Sequence, residues 1–281
     1  MEYMRKLFET NFLEYASYVI KERAIPHIID GLKPVQRRIL HSLWENDDGK
    51  FNKVANIVGH CMKYHPHGDA SIYEALVNIA QKDYFIDKQG NFGNILTGDE
   101  ASAARYIECR LSSLAKEVLF NPKITDYIPS YDGRNQEPVV LPAKVPVLLM
   151  QGAEGIAVGM STKILPHNFG ELLKAQIKIL KGENFKIYPD FQQGGVIDVS
   201  EYNDGNGKVK IKAIMEEKKG SKSIIIKEIP YGTTTESLIS SIEEAARKNK
   251  IKIASINDFT TDKIEIEVET ARGVSIEETM K

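Results

Sequence analysis

The stretch from residue 54 to residue 80 carries two helical patterns with a sharp break between them, and it constrains the fold more than any other part of the chain. Apolar residues recur at the spacing of one helix face in both halves, and the segment YHPHG interrupts them. Two amphipathic helices joined by a short Pro/Gly turn predict a helix-turn-helix, with Asp69 or Ser71 as the N-cap of the second helix. The first series is Val54, Ile57, Val58, Cys61 and Met62, and the second is Ile72, Ala75, Leu76, Ile79 and Ala80.

The segments on either side of this motif predict further helices and then strands. NFLEYASYVIKERAI predicts an amphipathic helical arm, and GLKPVQRRILHSLWEN predicts a helix entered through Pro34. Strands are predicted at GKVKIKAIM, SKSIIIKEI, IKIASI and DKIEIEVE, with a helix over residues 236–249. The last segment, VSIEETMK, opens a helix with Ser275 and Glu278 as a capping box, and we expect a fragment that stops soon after this helix begins.

Length and composition limit the class of protein. A chain of 281 residues with 42% hydrophobic residues has room for about two domains with sizeable cores. The opening MEYMRKLFETNFLEYASYVI mixes charges into its apolar positions and so lacks the apolar region of a signal peptide. We therefore expect a cytoplasmic protein with no membrane span. Cys61 and Cys109 form neither a metal-binding nor a disulfide pattern and are predicted to be buried.

Charge is unevenly placed along the chain, although the net charge is −2. Residues 21–67 carry eight lysines and arginines against five acidic residues. Such an excess allows a local basic face of the kind that binds nucleic acid. An ordinary solvated surface would show the same excess, so both interpretations stay open on charge alone.

The motif H-x-H-x-D, at His65, His67 and Asp69, lies in the break between the two helices. This spacing suits metal ligands, but a metallo-hydrolase of this kind needs a further histidine where Ala70 stands, and only His167 lies downstream. At a turn that opens a helix N-terminus, two imidazoles and free backbone N–H groups suit a phosphate instead. A metal site, a phosphate site and a purely structural turn are the three interpretations of this motif.

Five motifs occur in order along the chain: IDGLKPVQRRIL, KYHPHGDASIYEAL, KQGNFGN, EASAARYIECRL and GIAVGMSTKILPHN. Together they resemble the DNA-cleaving A subunit of bacterial type IIA topoisomerases, the family of DNA gyrase and topoisomerase IV. Gln36 stands where the A subunits of gyrase more usually carry histidine, which favours the topoisomerase IV branch.

The resemblance implies an α+β fold, with a winged-helix DNA-cleavage domain followed by a mixed α/β tower domain. We expect an N-terminal helical arm at residues 1–30 and the winged-helix domain, with the catalytic tyrosine, at residues 31–147. The tower domain is expected at residues 148–281, truncated before the coiled coil of the family.

The resemblance implies that Tyr106 attacks a DNA phosphodiester and forms a transient 5′-phosphotyrosyl link. A phenol with a pKa of about 10 is protonated at neutral pH, so such a site must remove a proton and stabilise developing negative charge. Arg105 adjoins Tyr106, and Arg23 in KERAIP matches a family arginine that reaches the same phosphate. An apolar stripe after Tyr106 predicts that this residue lies at a helix N-terminus. The stripe is Leu111, Leu114, Ala115, Val118 and Leu119.

The resemblance also implies a DNA-binding surface. The stretch QGAEGIAVGMST is no G-x-G-x-x-G dinucleotide motif, and in the family the isoleucine that matches Ile156 wedges between base pairs and bends the DNA. A buried isoleucine in a hairpin, and arginines that are merely solvated, are the structural alternatives. The residues that line the DNA-facing surface or the cleavage centre by resemblance are Lys33, Arg37, Arg38, His65 and His67.

One position departs from the family pattern. Many relatives carry serine where this chain has Ala70, and the acidic residue four positions on is kept here as Glu74. In the family these two side chains hold the water shell of the magnesium ion that tethers a fluoroquinolone. We therefore predict an enzyme that is less sensitive to quinolones.

The resemblance finally implies partners. We expect an ATP-dependent type II DNA topoisomerase whose A subunit forms a homodimer, joins two B subunits, cuts double-stranded DNA, passes a second duplex and reseals the break. Mg²⁺ and ATP are expected on the partner B subunit, with no metal or cofactor on this chain, and this fragment alone is expected to be inactive. A winged-helix protein that only binds DNA is the alternative function, and a metallo-hydrolase is the third.

Overall fold

The computed structural model describes residues 2–218, 220–261 and 263–280. These residues form two compact units, each described by itself: unit 1 comprises Met1–Phe92 and Ala101–Pro189, and unit 2 comprises Gly93–Glu100 and Asp190–Lys281. The architecture mixes α-helices with small antiparallel sheets, which confirms the predicted α+β class. No helix in the described ranges combines the length and the apolar character needed to cross a bilayer.

The first half of unit 1 is mainly helical, as the apolar periodicity predicts. Pro34 opens its second α-helix because its fixed φ suits the first helical turn, and the side chain of Gln36 accepts a hydrogen bond from the backbone N–H of Lys33 at 2.9 Å. The helical elements are α1 (Glu2–Val19), a π-helical turn (Ile20–Ala24), α2 (Pro34–Glu45), α3 (Val54–Cys61) and α4 (Asp69–Gln81).

The cap of α4 differs from the prediction. Gly68 is the N-cap, with extended backbone angles, and no side chain caps the helix. Asp69 is already the first helical residue, and the Ser71 hydroxyl donates to the carbonyl of Gly68 at 2.7 Å. The predicted N-cap at Asp69 or Ser71 is therefore wrong, because the glycine takes the extended conformation that a cap requires.

A three-stranded antiparallel sheet closes this helical part, in the order β1-β3-β2. Asn52 pairs with Cys109, and Ile86 pairs with Leu111. Cys61 and Cys109 are both fully buried in the core of unit 1, as predicted. The strands are β1 (Asn52–Lys53), β2 (Ile86–Gln89) and β3 (Glu108–Leu111).

The segment after Tyr106 is a strand and not a helix. β3 intervenes, and the next helix, α5 (Ser113–Leu119), starts only after Ser112, whose side chain accepts a hydrogen bond from the backbone N–H of Ala115 at 3.0 Å. The prediction that Tyr106 lies at a helix N-terminus is therefore wrong. The apolar stripe predicts one continuous helix, but its first residue, Leu111, belongs to β3. Pairing of β3 with two other strands overrides the helical pattern at this point.

The rest of unit 1 contains two hairpins and two helices. Gly152, between α6 and β6, has φ +64, and a Cβ there would lie 2.7 Å from the carbonyl oxygen of Ile164, so this turn requires glycine. The elements are β4 (Tyr127–Pro129), β5 (Gln136–Pro138), α6 (Val147–Gln151), β6 (Ala153–Ile156), β7 (Ser161–Ile164) and α7 (Phe169–Lys181).

Unit 2 has its own antiparallel sheet, in the order β10-β11-β13-β12, and its own core around Ile229 and Ile266. The predicted strand GKVKIKAIM is divided at Ala213 into two strands. Its elements are β8 (Val196–Asp198), β9 (Lys210–Lys212), β10 (Ile214–Glu217), β11 (Ser223–Glu228), α8 (Thr235–Arg247), β12 (Ile253–Asp258), β13 (Ile266–Thr270) and α9 (Ile276–Thr279), with a 3-10 turn at Asn203–Gly205.

Two predictions for this region stay predictions. The side chain of Glu278 lies outside the described residues, and so does the predicted capping box that pairs it with Ser275. The predicted boundary between the winged-helix and tower domains follows residue 147. The chain passes from unit 1 to unit 2 later, between Pro189 and Asp190. Compact units are defined by packing and need not coincide with family domains, so the predicted boundary is not tested.

Candidate functional site

Tyr106 lies on an exposed turn whose two sides are anchored to the start of α3. Its side chain is 64% exposed. The carbonyl of Ala104 accepts a hydrogen bond from the N–H of Ala55 at 3.1 Å, and the carbonyl of Ile107 accepts one from the N–H of Val54 at 3.0 Å. The phenol is therefore presented to solvent by a backbone that is fixed on both sides.

Arg105 contacts Tyr106 twice. Its Nη2 donates to the phenolic oxygen at 3.1 Å, and its Cζ lies 4.6 Å from the centroid of the tyrosine ring. Arginine donors of this kind form strong hydrogen bonds to oxyanions, including phosphates. The structure therefore brings together the predicted nucleophile and the first of its two predicted arginines.

A second polar cluster forms around His65, at the turn between α3 and α4. Arg38 Nη1 lies 3.3 Å from His65 Nδ1, and Arg38 Nη2 donates to Glu137 at 3.0 Å. A guanidinium can only donate, so Nδ1 must accept, and the proton of the neutral imidazole is on Nε2. The pKa of His65 is lowered to about 4, first by burial and then by electrostatic repulsion from its neighbours Arg38, His67 and Arg23. His65 is thus a neutral residue at physiological pH.

His67 and Arg23 complete this cluster. The His67 ring lies edge-on to that of His65 with 5.0 Å between centroids, and its Nε2 is 3.1 Å from the hydroxyl of Tyr18 in α1. Arg23 is exposed on the π-helical turn, close enough for its charge to act on His65. Within the described ranges no hydrogen bond or ion pair joins this cluster to Tyr106.

Arg37 does not belong to an exposed surface, contrary to the prediction. It is buried, and it forms a bidentate ion pair with the fully buried Asp30, at 2.6 Å from Nε and 3.0 Å from Nη2. Asp30 also accepts from the backbone N–H of Leu141 at 3.0 Å. A buried carboxylate needs such partners, so Arg37 has a structural role.

The β6–β7 hairpin presents Ile156, which is 80% exposed at the end of β6. This exposure excludes the alternative of a core isoleucine. Lys33 Nζ donates to the carbonyl of Glu154 in the same strand at 2.8 Å, so a predicted DNA contact lies at the base of the hairpin. Lys82 Nζ donates to the carbonyl of Gln151 at 3.1 Å. The sequence offers no signal for Lys82, which follows α4 as an ordinary helix-terminal lysine.

Ala70 and Glu74 are both exposed on α4, and their i, i+4 spacing places them on one face. Ala70 also borders a shallow cavity of about 400 Å³ together with Asp69, Tyr73 and Ala103. The predicted drug-contact positions are therefore accessible and lie close to the turn that carries Tyr106.

The described part of the chain contains no group of three or more His, Cys, Asp or Glu side chains placed to hold a metal ion. The Nδ1 atom of His65 faces a guanidinium, which disfavours a cation at the H-x-H-x-D motif. The assignment of Mg²⁺ and ATP to a partner protein stays a prediction.

The structure presents an exposed tyrosine whose hydroxyl accepts a hydrogen bond from an arginine, in a chain that also contains a helix-turn-helix. Comparison with known proteins identifies the family. Residues 23–281 match the family model for the A subunit of DNA gyrase/topoisomerase IV, and the chain belongs to this family. The resemblance drawn from the five motifs is confirmed.

Three relatives show where in the family the chain lies. It is 62% identical over 278 residues to the A subunit of DNA topoisomerase 4 from Borreliella burgdorferi, covering 99% of this chain and 44% of that relative. It is 44% identical over 292 aligned positions to the A subunit of DNA gyrase from Lawsonia intracellularis, covering 94% of this chain and 36% of that relative. It is 42% identical over 278 residues to the A subunit of DNA gyrase from Staphylococcus aureus, covering 89% of this chain and 31% of that relative. The chain thus spans less than half the length of these relatives.

Proposed function

We propose that this chain is the DNA breakage and reunion part of the A subunit of a type IIA topoisomerase, with Tyr106 as its nucleophile. The observation that carries the proposal is the exposed phenol of Tyr106 with the guanidinium of Arg105 on its oxygen, in a chain that belongs to the gyrase and topoisomerase IV family.

In the proposed reaction the phenolic oxygen attacks a DNA phosphorus, and its proton passes to a base or to water. A phosphorus–oxygen bond forms to Tyr106, the bond to the 3′-oxygen breaks, and that oxygen takes a proton from water and leaves as a hydroxyl. Arg105 stabilises the negative charge on the phosphate oxygens in the five-coordinate transition state. The reverse attack by the 3′-hydroxyl reseals the strand, so no external energy is needed for breakage and reunion.

The cluster around His65 supports the proposal by supplying donors to the DNA backbone. Glu137 neutralises Arg38, whereas no ion pair among the described residues includes Arg23, whose charge acts on His65. Neutral His65 offers an N–H donor without a charge, which holds a phosphate but adds little to non-specific attraction. We propose that His65, His67 and Arg23 position the backbone, while Arg38 orients His65.

Ile156 supports the same function in another way. An aliphatic side chain that is mostly exposed at a hairpin end suits insertion between base pairs, where unstacking is compensated by contacts of the bent DNA. We propose that Ile156 bends the segment to be cut.

We also propose the domains and the assembly in which this chain works. Residues 31–147 form the winged-helix domain around α3 and α4, and the sheet of unit 2 belongs to the tower domain. Two A subunits work with two B subunits, which supply Mg²⁺ and ATP, and paired Tyr106 residues cut both strands of a duplex.

The test is to trap a covalent adduct. The full-length protein, reconstituted with its B subunit, is denatured during cleavage, and the modified peptide is mapped. Tyr106→Phe keeps the ring and removes only the nucleophile, so it is expected to bind DNA with nearly unchanged affinity and to form no adduct. Tyr131→Phe is the matched control, because Tyr131 is also exposed.

An adduct on the Tyr106→Phe protein would refute the assignment of the nucleophile. DNA binding without any adduct in the wild-type enzyme would favour the alternative, a winged-helix protein that only binds DNA.

A further inference from the structure

Two lysine ammonium groups meet at the base of the hairpin that carries Ile156. Lys33 is the N-cap of α2 and donates from Nζ to the carbonyl of Glu154 at 2.8 Å. Lys82 is the C-cap of α4 and donates from Nζ to the carbonyl of Gln151 at 3.1 Å. The ends of two helices therefore place positive charges on two backbone carbonyls, one just before β6 and one within it.

The two charges are close enough to act on each other. The pKa of Lys82 is lowered to about 8, first by burial and then by the charge of Lys33. Burial also lowers the pKa of Lys33, and the carboxylate of Glu154 opposes this shift. Glu154 itself is exposed and lies 3.8 Å from Lys163. Among the ion pairs of the described residues, none includes Lys33 or Lys82.

A pair of partly buried like charges is unfavourable until an anion neutralises it. Each ammonium has three N–H donors, and each uses one on a backbone carbonyl. We propose that Lys33 and Lys82 together bind one phosphate of the DNA backbone, next to the base step that Ile156 enters. This inference rests on the proposed function, and it adds Lys82, which lies outside all five family motifs.

The phosphate at this site could belong to DNA or be a free ion, and the exposed isoleucine of the hairpin favours DNA. A free phosphate ion offers the same oxygens, but it gives no reason for an apolar side chain, 80% exposed, on the same strand. A duplex brings both chemistries, since a phosphate flanks every base step that Ile156 can enter. The lysines and the isoleucine would therefore act on neighbouring parts of one strand.

Binding at this site is expected to depend on pH. The Lys82 ammonium loses its proton as the pH rises past its pKa of about 8. A phosphate between the lysines favours the charged form and raises this pKa, so DNA binding near pH 8 takes up protons. Among the described residues, the charge that acts on Lys82 is that of Lys33, the N-cap of α2, and the charge that acts on Lys33 is that of Glu154, on β6.

The experiment measures binding of a short DNA duplex to the full 281-residue chain by fluorescence anisotropy at several salt concentrations. Lys82→Met is expected to reduce the slope of log K against log salt by about 1. It should also abolish the proton uptake, which calorimetry reports in buffers of different ionisation enthalpy. Lys82→Arg should keep the slope and lose the uptake, because a guanidinium stays charged. Lys88→Met is the control, since Lys88 is already ion-paired with Asp83.

A wild-type slope for Lys82→Met would overturn the proposal. So would a Lys82→Arg protein that behaves like Lys82→Met, because the lysine would then only hold the hairpin. Inorganic phosphate is the second probe, and full competition with the duplex at millimolar concentration would reassign the site to a free anion. A reduced slope for Lys82→Met, together with no adduct on Tyr106, would support this phosphate site and refute the proposed function. An unchanged slope together with an adduct on Tyr106 would refute only this phosphate site.

Discussion

Arg37 and Arg38 are neighbours in the chain, yet each guanidinium is held by a different buried carboxylate. Asp30 holds Arg37, and Glu137 holds Arg38. The sequence predicts both arginines at a DNA-facing surface because the family motif places them together. It cannot predict the partners, since Glu137 is 99 residues away from Arg38. Breaking either pair would leave an uncompensated buried charge, at a cost of about 3–5 kcal/mol.

At the same scale, His65 is expected to make the fold sensitive to acid. Its pKa in the folded protein is about 4, below the ordinary value of 6.5, so the unfolded chain binds a proton first as the pH falls. Its contribution to stability is therefore complete above pH 6.5 and is lost as the pH falls towards 4. Between pH 7 and pH 5 we expect a loss of about 1–2 kcal/mol from this residue.

The measurement is the free energy of unfolding of His65→Gln and wild type at both pH values. The variant is expected to lose less stability on acidification, and His27→Gln, at an exposed histidine, serves as the control. Equal pH dependence for His65→Gln and wild type would contradict the prediction.

Elements built from local apolar periodicity are the ones that the sequence predicts well. The helices α2, α3 and α4 start and end close to the predicted positions because each buries one face that the spacing reveals. The prediction of a helix directly after Tyr106 is wrong because β3 forms there by pairing with the strands that contain Asn52 and Ile86, which lie far away in sequence. Lys82 escapes prediction for a similar reason: its partner, Gln151, is 69 residues away.

The face of α4 leads to a prediction about drug response. Ala70 and Glu74 are exposed one turn apart, so Ala70→Ser would add a hydroxyl beside the carboxylate without burying anything. By resemblance, that hydroxyl helps to hold the water shell of a quinolone-bound magnesium ion. One added hydrogen bond to a charged group is worth about 1–3 kcal/mol, so quinolone-stabilised cleavage should need roughly ten- to a hundredfold less drug.

Dose-response curves for cleavage by the reconstituted enzyme would measure this shift. Asn78→Ser, also exposed on α4, controls for a serine on the same helix and is expected to leave the curve unchanged. Coincident curves for Ala70→Ser and wild type would show that Glu74 alone carries the contact.

On the scale of the whole molecule, the two units have separate cores, and we expect them to unfold in separate steps. Leu76 is fully buried in the core of unit 1, and Ile266 is fully buried in that of unit 2. Truncating either side chain to alanine costs about 2–5 kcal/mol. Ile266→Ala should therefore lower the transition temperature of one step in a calorimetric scan and leave the other in place, with Leu76→Ala doing the reverse. A single transition that both variants shift equally would contradict this prediction.

The chain does not divide into these units at one point. Gly93–Glu100 belongs to unit 2, where Leu96 packs against the core and its carbonyl accepts a hydrogen bond from the N–H of Thr235 at 2.8 Å. The polypeptide then returns to unit 1 only five residues before Tyr106. A gene recombination event with a breakpoint at residue 189 would therefore pair an inherited Leu96 segment with a foreign sheet. Only exchanges that carry both segments together would leave descendants with a complete second core.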